Sequence, residues 1–251
     1  ETEDDYTEQN ALIEWAIEQK PSAILLTPSS YTETTPYAKK VVESGIPLIL
    51  VDSEIDEDIA DTVITTDNVK LGEVEGDYMR QYATEESQIA IIGHVEGSST
   101  AIEREEGVRK GLGEYEDRIV DVVFCDSDYD KAYLLMLELM EKYPDIDLVA
   151  GLNEYSAVGA ARAIKEKGRQ DIRVVGIDSS LEEIQFLEEG IFEIIVIQNP
   201  FKMGYLGVEA AASLLNGEKV VKHIDSGCEL ISNDSVYTEE NQKLLFPFRE
   251  E

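Results

Sequence analysis

Three observations predict an α/β fold built on parallel sheets. Apolar runs of strand length alternate with segments of helical period through most of the chain. The strand runs Ala23–Leu26, Ile89–Ile92, Val174–Ile177 and Ile194–Ile197 are continuous rather than alternating, which marks strands covered on both faces. A length of 251 residues suits one large domain or two lobes, at ~100–200 residues per domain.

Each element has its own signal. Leu12, Ile13, Ala16 and Ile17 make one face of a first helix, because side chains four apart stand above one another. A strand over 23–27 is closed by Pro28. A helix over 31–44 stops at Gly45, since glycine accepts the left-handed conformation of a helix end. Strands over 46–52 and 63–66 follow. The alternation then predicts helices over 68–82, 99–113, 129–142, 154–167, 180–189 and 201–215. Strands over 88–93, 119–125, 147–152, 172–177 and 193–198 fall between them, giving about eight strands before residue 200. Over 222–232 the alternation breaks into a mixed strand and a polar tail. Helical crossovers between such strands make a parallel sheet.

Composition narrows the function. The chain has 21 basic and 54 acidic side chains, a net charge of −33, which argues against nucleic acid as a direct partner. Short acidic runs at Glu3–Asp5, Glu105-Glu106 and Glu239-Glu240 read as solvated surface. A hydrophobic content of 43% gathered into runs is core-forming rather than disordered. The longest apolar runs, Ile46–Val51 and Ala132–Leu137, have six residues, and a membrane span needs ~20, so a soluble chain is expected. The polar start at Glu1–Asp5 runs straight into a helix pattern, without a signal-peptide or lipidation motif.

Cys125 and Cys228 have no ligand spacing around them and are expected to be two buried free thiols. His94 and His223 are the only histidines, too few and too isolated for a zinc site or a triad. Neither GxGxxG, a P-loop nor GxSxG occurs, so no cofactor, metal or catalytic residue is expected. Gly93–Gly97 reads as a tight turn into a serine-capped helix, with anion binding at the helix start as the alternative.

In open parallel sheets ligands bind beyond the carboxyl ends of the strands. Here those ends carry Thr27, Asp52, Thr66, Asn153, Asp178 and Gln198. A single polar strand end is commonly a cap or turn, whereas this many lining one cleft suit hydrogen bonding to a neutral, polyhydroxylated ligand. Tyr129, at a helix start beside strand 119–125, would add an aromatic face for a sugar ring.

These residues also carry a family likeness. Gly45–Asp52, Thr66-Asp67-Asn68, Arg104–Gly107, Leu152-Asn153-Glu154 with Ala157–Ala161, Val174–Asp178, and Gln198-Asn199-Pro200 with Met203-Gly204 stand in one order and spacing. Together they resemble the periplasmic sugar-binding proteins of the ribose-binding type, substrate-binding subunits of ABC importers, over nearly the whole chain. The resemblance implies two lobes, each a parallel sheet sandwiched by helices, joined by three crossings near residues 66, 198 and 229. It places residues 1–66 and 199–228 in one lobe and residues 67–198 and 229–251 in the other. It further implies a non-enzymatic protein outside the cytoplasm, in the periplasm or lipid-anchored at the cell surface. Such a protein closes on a sugar or polyol in the interlobe cleft and presents it to an ABC permease. Asp52, Asn153, Asp178 and Gln198 would be the hydrogen-bonding set, Tyr129 the ring-side aromatic and Thr66 a hinge-side contact.

The departures are equally specific. Where ribose binders place an arginine after the strand-end aspartate this chain has Ser53, and where they place another two positions before Arg104 it has Ile102. Losing such rigid multi-donor forks implies a ligand other than ribose held in the ribose geometry. The family's first two strands and the helix between them have no counterpart here. Truncation, disorder and completion by another chain all fit, and a monomer is expected unless another chain completes the lobe. Such a gap would leave a sheet edge unpaired. The effector domain of a lactose-repressor-family regulator and the sensor domain of a membrane receptor kinase share this pattern. Against the repressor stand the charge and the endings Asp225-Ser226-Gly227 and Glu240-Asn241.

Overall fold

The computed structural model of the protein describes residues 5–246; the polar residues 1–4, with most of the Glu3–Asp5 run, and residues 247–251 lie outside them. In chain order the elements begin α1 (Tyr6–Glu18), β1 (Ile24–Leu26), α2 (Thr35–Glu43), β2 (Leu48–Val51), β3 (Thr62–Thr65), α3 (Asn68–Met79) and β4 (Gln88–Gly93). They continue with α4 (Ser99–Leu112), β5 (Ile119–Phe124), α5 (Tyr129–Lys142), β6 (Ile146–Gly151), α6 (Glu154–Lys167) and β7 (Arg173–Ile177). The remainder is α7 (Leu181–Glu188), β8 (Phe192–Gln198), α8 (Pro200–Leu215), β9 (His223–Asp225), β10 (Cys228–Ser232) and α9 (Glu239–Leu245).

The eight strands expected before residue 200 are present. Where the expectation fails, the cause is local. The helix expected from residue 31 starts at Thr35, because Pro36 belongs in a first helical turn, where its missing N–H is not needed. Over 222–232 the expected mixed strand is two strands in different sheets. The expected polar tail contains α9, capped by Thr238 and seated through buried Leu245. A helix with Leu244 and Leu245 as its only apolar residues gives almost no periodic signal. Cys125 is a buried free thiol as expected, but Cys228 is only partly buried: it opens β10, the antiparallel strand that pairs with β8.

Two compact units make up the chain. Unit 1 comprises Glu1–Asp67, Gly97–Thr100 and Asn199–Gly227; unit 2 comprises Asn68–Glu96, Ala101–Gln198 and Cys228–Glu251. Unit 1 holds a 4-stranded sheet in the order β1-β2-β3-β9, all parallel. Ile13, Leu48, Leu50 and Val63 pack on one face, Ile49, Ile64, Met203 and Ala210 on the other.

Unit 2 holds a 6-stranded sheet in the order β10-β8-β7-β6-β4-β5. All its pairs are parallel except β10 with β8. Along β4, Ala90 and Ile92 face one layer while Ile89 and Ile91 face the other, all fully buried. That is why the strand run is continuous rather than alternating. The second layer depends on glycine. A Cβ at Gly76 would lie 2.3 Å from the Val108 carbonyl oxygen, and one at Gly111 would lie 2.4 Å from that of Glu73. Gly72 and Gly107 are as tightly placed. Gly72 and Gly76 on α3 thus meet Gly107 and Gly111 on α4 backbone to backbone, which fixes the two helices and everything they carry.

Candidate binding site at the strand ends

The carboxyl ends of the unit 2 strands carry a connected polar set. Asp178 follows β7 with φ of 92°, a left-handed conformation costly for any residue but glycine and characteristic of functional positions. Its Oδ1 accepts from Gln198 Nε2 at 3.0 Å, and its Oδ2 accepts from the Glu154 backbone N–H at 3.2 Å. Gln198, the last residue of β8, keeps a buried Oε1 without a hydrogen-bond partner.

Asn153 is the N-cap of α6. Its Oδ1 accepts from the Ser156 N–H at 3.0 Å, and the Ser156 hydroxyl accepts from the Asn153 N–H at 3.0 Å. Its Nδ2 donates to the Ser127 hydroxyl at 3.4 Å. The amide oxygen is therefore committed to the helix, and the amide N–H groups are what Asn153 has to offer a ligand. Tyr129 donates its hydroxyl to the Glu154 carboxylate. Its ring packs at 4.6 Å from that of Tyr155, with the Arg162 guanidinium 4.8 Å from its centroid. Burial, then the bond to Glu154, raises the Tyr129 phenol above its ordinary range. Through Glu154, one run of bonds connects Tyr129, Asp178 and Gln198.

Close to these side chains are four buried titratable groups that the strand-end pattern did not single out. Arg104, 3% exposed, donates Nε to Asn68 Oδ1 and Nη1 to the Leu152 carbonyl, both at 2.8 Å. Burial, with Arg104 nearby, pushes His94 down to about 3, so it is uncharged at neutral pH. Glu75 and Glu183 are fully buried. Burial raises both carboxyls well above their ordinary range, and the Asp178 charge adds to the rise. Glu75 had a readable signal: it stands four residues from both Leu71 and Met79, on the buried stripe of α3.

In unit 1, Asp52 follows β2 with φ of 71°. Its carbonyl accepts from the Thr65 hydroxyl, and its Oδ2 accepts from the Ser53 hydroxyl at 3.3 Å. Thr66 is buried, its hydroxyl 3.1 Å from that of Ser226. Thr27 is exposed, and its carbonyl accepts from the Gln9 side chain at 2.8 Å. Among the described residues no group of three or more His, Cys, Asp or Glu side chains could hold a metal ion, and no helix is long and apolar enough to cross a membrane.

Comparison with known proteins places this architecture. The ribose import binding protein RbsB of Bacillus subtilis (strain 168) is 27% identical over 230 residues, covering 92% of this chain and 75% of the relative. A sugar transporter from Clostridium phytofermentans, solved by crystallography, is 47% identical with a TM-score of 0.87, covering 92% of this chain and 84% of that one. An ABC transporter solute binding protein from Agrobacterium vitis with bound D-fucose is 29% identical with a TM-score of 0.93, covering 97% of this chain and 86% of that one. Residues 1–219 match the model of the periplasmic binding protein domain. This chain belongs to the periplasmic binding protein family.

Proposed function

We propose that this protein captures a sugar or related polyol outside the cytoplasm and delivers it to an ABC permease, acting as a monomeric binding protein and not as an enzyme. The ligand-binding residues are Asp52, Thr66, Tyr129, Asn153, Asp178 and Gln198. The observation that carries this reading is Asp178, held at φ of 92° with each carboxylate oxygen oriented by one donor. A carboxylate fixed in that way still has lone pairs for ligand hydroxyls. The Asn153 amide N–H groups serve ligand oxygens, and Tyr129 supplies apolar surface beside them.

The relatives support the chemistry, being named for ribose import in one case and holding D-fucose in another. A net charge of −33 disfavours a regulator working beside DNA. A thermal-shift screen against D-ribose, D-arabinose, D-fucose, xylitol and myo-inositol tests the reading, since a ligand that binds only the folded state raises apparent stability. At least one member is expected to raise the melting temperature in a concentration-dependent way. A panel without effect would remove the sugar-binding reading.

A further inference from the structure

Glu75 is the least satisfied side chain beneath the strand-end set. It is fully buried on α3, and neither carboxyl oxygen has a hydrogen-bond partner. A buried, unpaired carboxylate costs several kcal/mol, so the acid stays protonated unless a cation compensates. Two charges act on it: Arg104 of α4, which favours ionisation, and Asp178 beyond β7, which opposes it. The remaining groups of the cluster are accounted for. His94 beside Arg104 is held uncharged. Glu183 on α7 is buried and also feels Asp178 and Glu154. Gln198 of β8 is uncharged and has its own unpartnered buried oxygen.

We propose that Glu75 is a positioning residue for ligand binding: as a neutral acid it leaves Arg104 on Asn68 and the Leu152 carbonyl and leaves Asp178 undisturbed, whereas its ionised form draws the guanidinium off those two partners, repels Asp178 and loosens the grip on the ligand. The inference rests on the assignment of Asp178 and Gln198 to the ligand. It is separate from that assignment, because Glu75 touches no solvent and so acts only through its neighbours. The sign follows from the charges. Affinity is highest while Glu75 holds its proton and falls as pH rises through its titration.

Calorimetric titration of the full chain with the tightest binder among D-ribose, D-arabinose, D-fucose, xylitol and myo-inositol tests this directly. As pH rises through the Glu75 titration the wild type is expected to lose about tenfold in affinity, one unit of coupling. Glu75→Gln, equal in size and unable to ionise, should keep the wild-type affinity of the acid side and stay flat across the range. Glu75→Leu, equally unable to ionise, should show the same flat profile while its circular dichroism stays native. Parallel profiles for wild type and Glu75→Gln would overturn the proposal. Infrared spectroscopy supplies a readout without sugar. A protonated-carboxyl band near neutral pH should be weaker in Glu75→Gln, and an unchanged band would overturn the proposal even if no sugar bound. A panel without binders but with the band lost would count against the sugar reading and not against the neutral acid.

Discussion

The two units solve the same packing problem to different degrees. Unit 2 buries both faces of its four inner strands, β4, β6, β7 and β8, and its α3 and α4 touch backbone to backbone through Gly72, Gly76, Gly107 and Gly111. Unit 1 has four strands, two of them only three residues long. It leaves Leu12 and Trp15 of α1, Leu25 of β1, and Phe201, Tyr205 and Val208 of α8 exposed. In unit 2 the inner strands are covered so closely that Glu75, Arg104 and His94 are buried. Close packing there fixes polar groups in a low-dielectric surround, where each unpaired group is costly and each paired one is held in place. The aspartates that end β7 and β2 share positive φ values, and Asp178 has both oxygens aimed by donors on neighbouring elements.

That contrast can be broken most severely at Asp178. Asp178→Ala is expected to weaken sugar binding by about a hundredfold, roughly 3 kcal/mol, because it removes the acceptor and leaves Gln198 without its partner. Asn153→Ala should also remove most binding, and it should cost about 1 kcal/mol of stability through the lost α6 cap. Calorimetry with denaturant unfolding separates the two effects, and near-wild-type affinity in both variants would take these residues out of the site.

Next in size is the glycine contact. Gly111→Val should destabilise the protein by ~3 kcal/mol, since overpacking against a backbone has nowhere to relax. The matching change in unit 1 should have the opposite sign. A Cβ at Gly204 on exposed α8 meets nothing within 4 Å, so Gly204→Ala should stabilise by up to about 1 kcal/mol. Urea unfolding of the pair measures how differently the units are packed; equal effects would erase the contrast.

A further expected effect is in the acid range. His94 is pushed down to about 3, below its unfolded value of ~6.5. Its burial therefore contributes stability that is present above ~6.5 and lost as pH falls through the folded value. His94→Gln should flatten that acid limb in a melting-temperature profile. The raised Glu75 and Glu183 act in the other direction, contributing stability below the ordinary glutamate range that declines as pH rises.

Much of this architecture was legible in order and little of it in depth. Continuous apolar runs such as Ile89–Ile92 fixed strand positions, and the residue after each run identified Asp52, Asn153 and Asp178 as strand-end groups. What Asn153 does with its oxygen was not legible, because capping α6 and facing a ligand use the same residue type at the same place. Nor was the environment of Tyr129, whose partners Glu154, Tyr155 and Arg162 lie 25 to 33 positions along the chain. The α9 helix escaped because a short helix with one buried leucine has no periodicity to detect.

By itself, then, the sequence determined which segments are strands, which are helices, and which polar side chains end the strands. Those are consequences of hydrophobic period and residue chemistry, both local properties. Only the tertiary structure decided that Gly72, Gly76, Gly107 and Gly111 meet, that Arg104 is tied to Asn68 and Leu152, and that Glu75 is sealed among them without a partner. Burial and electrostatic coupling depend on which distant segments are brought into contact, and no local pattern carries that information.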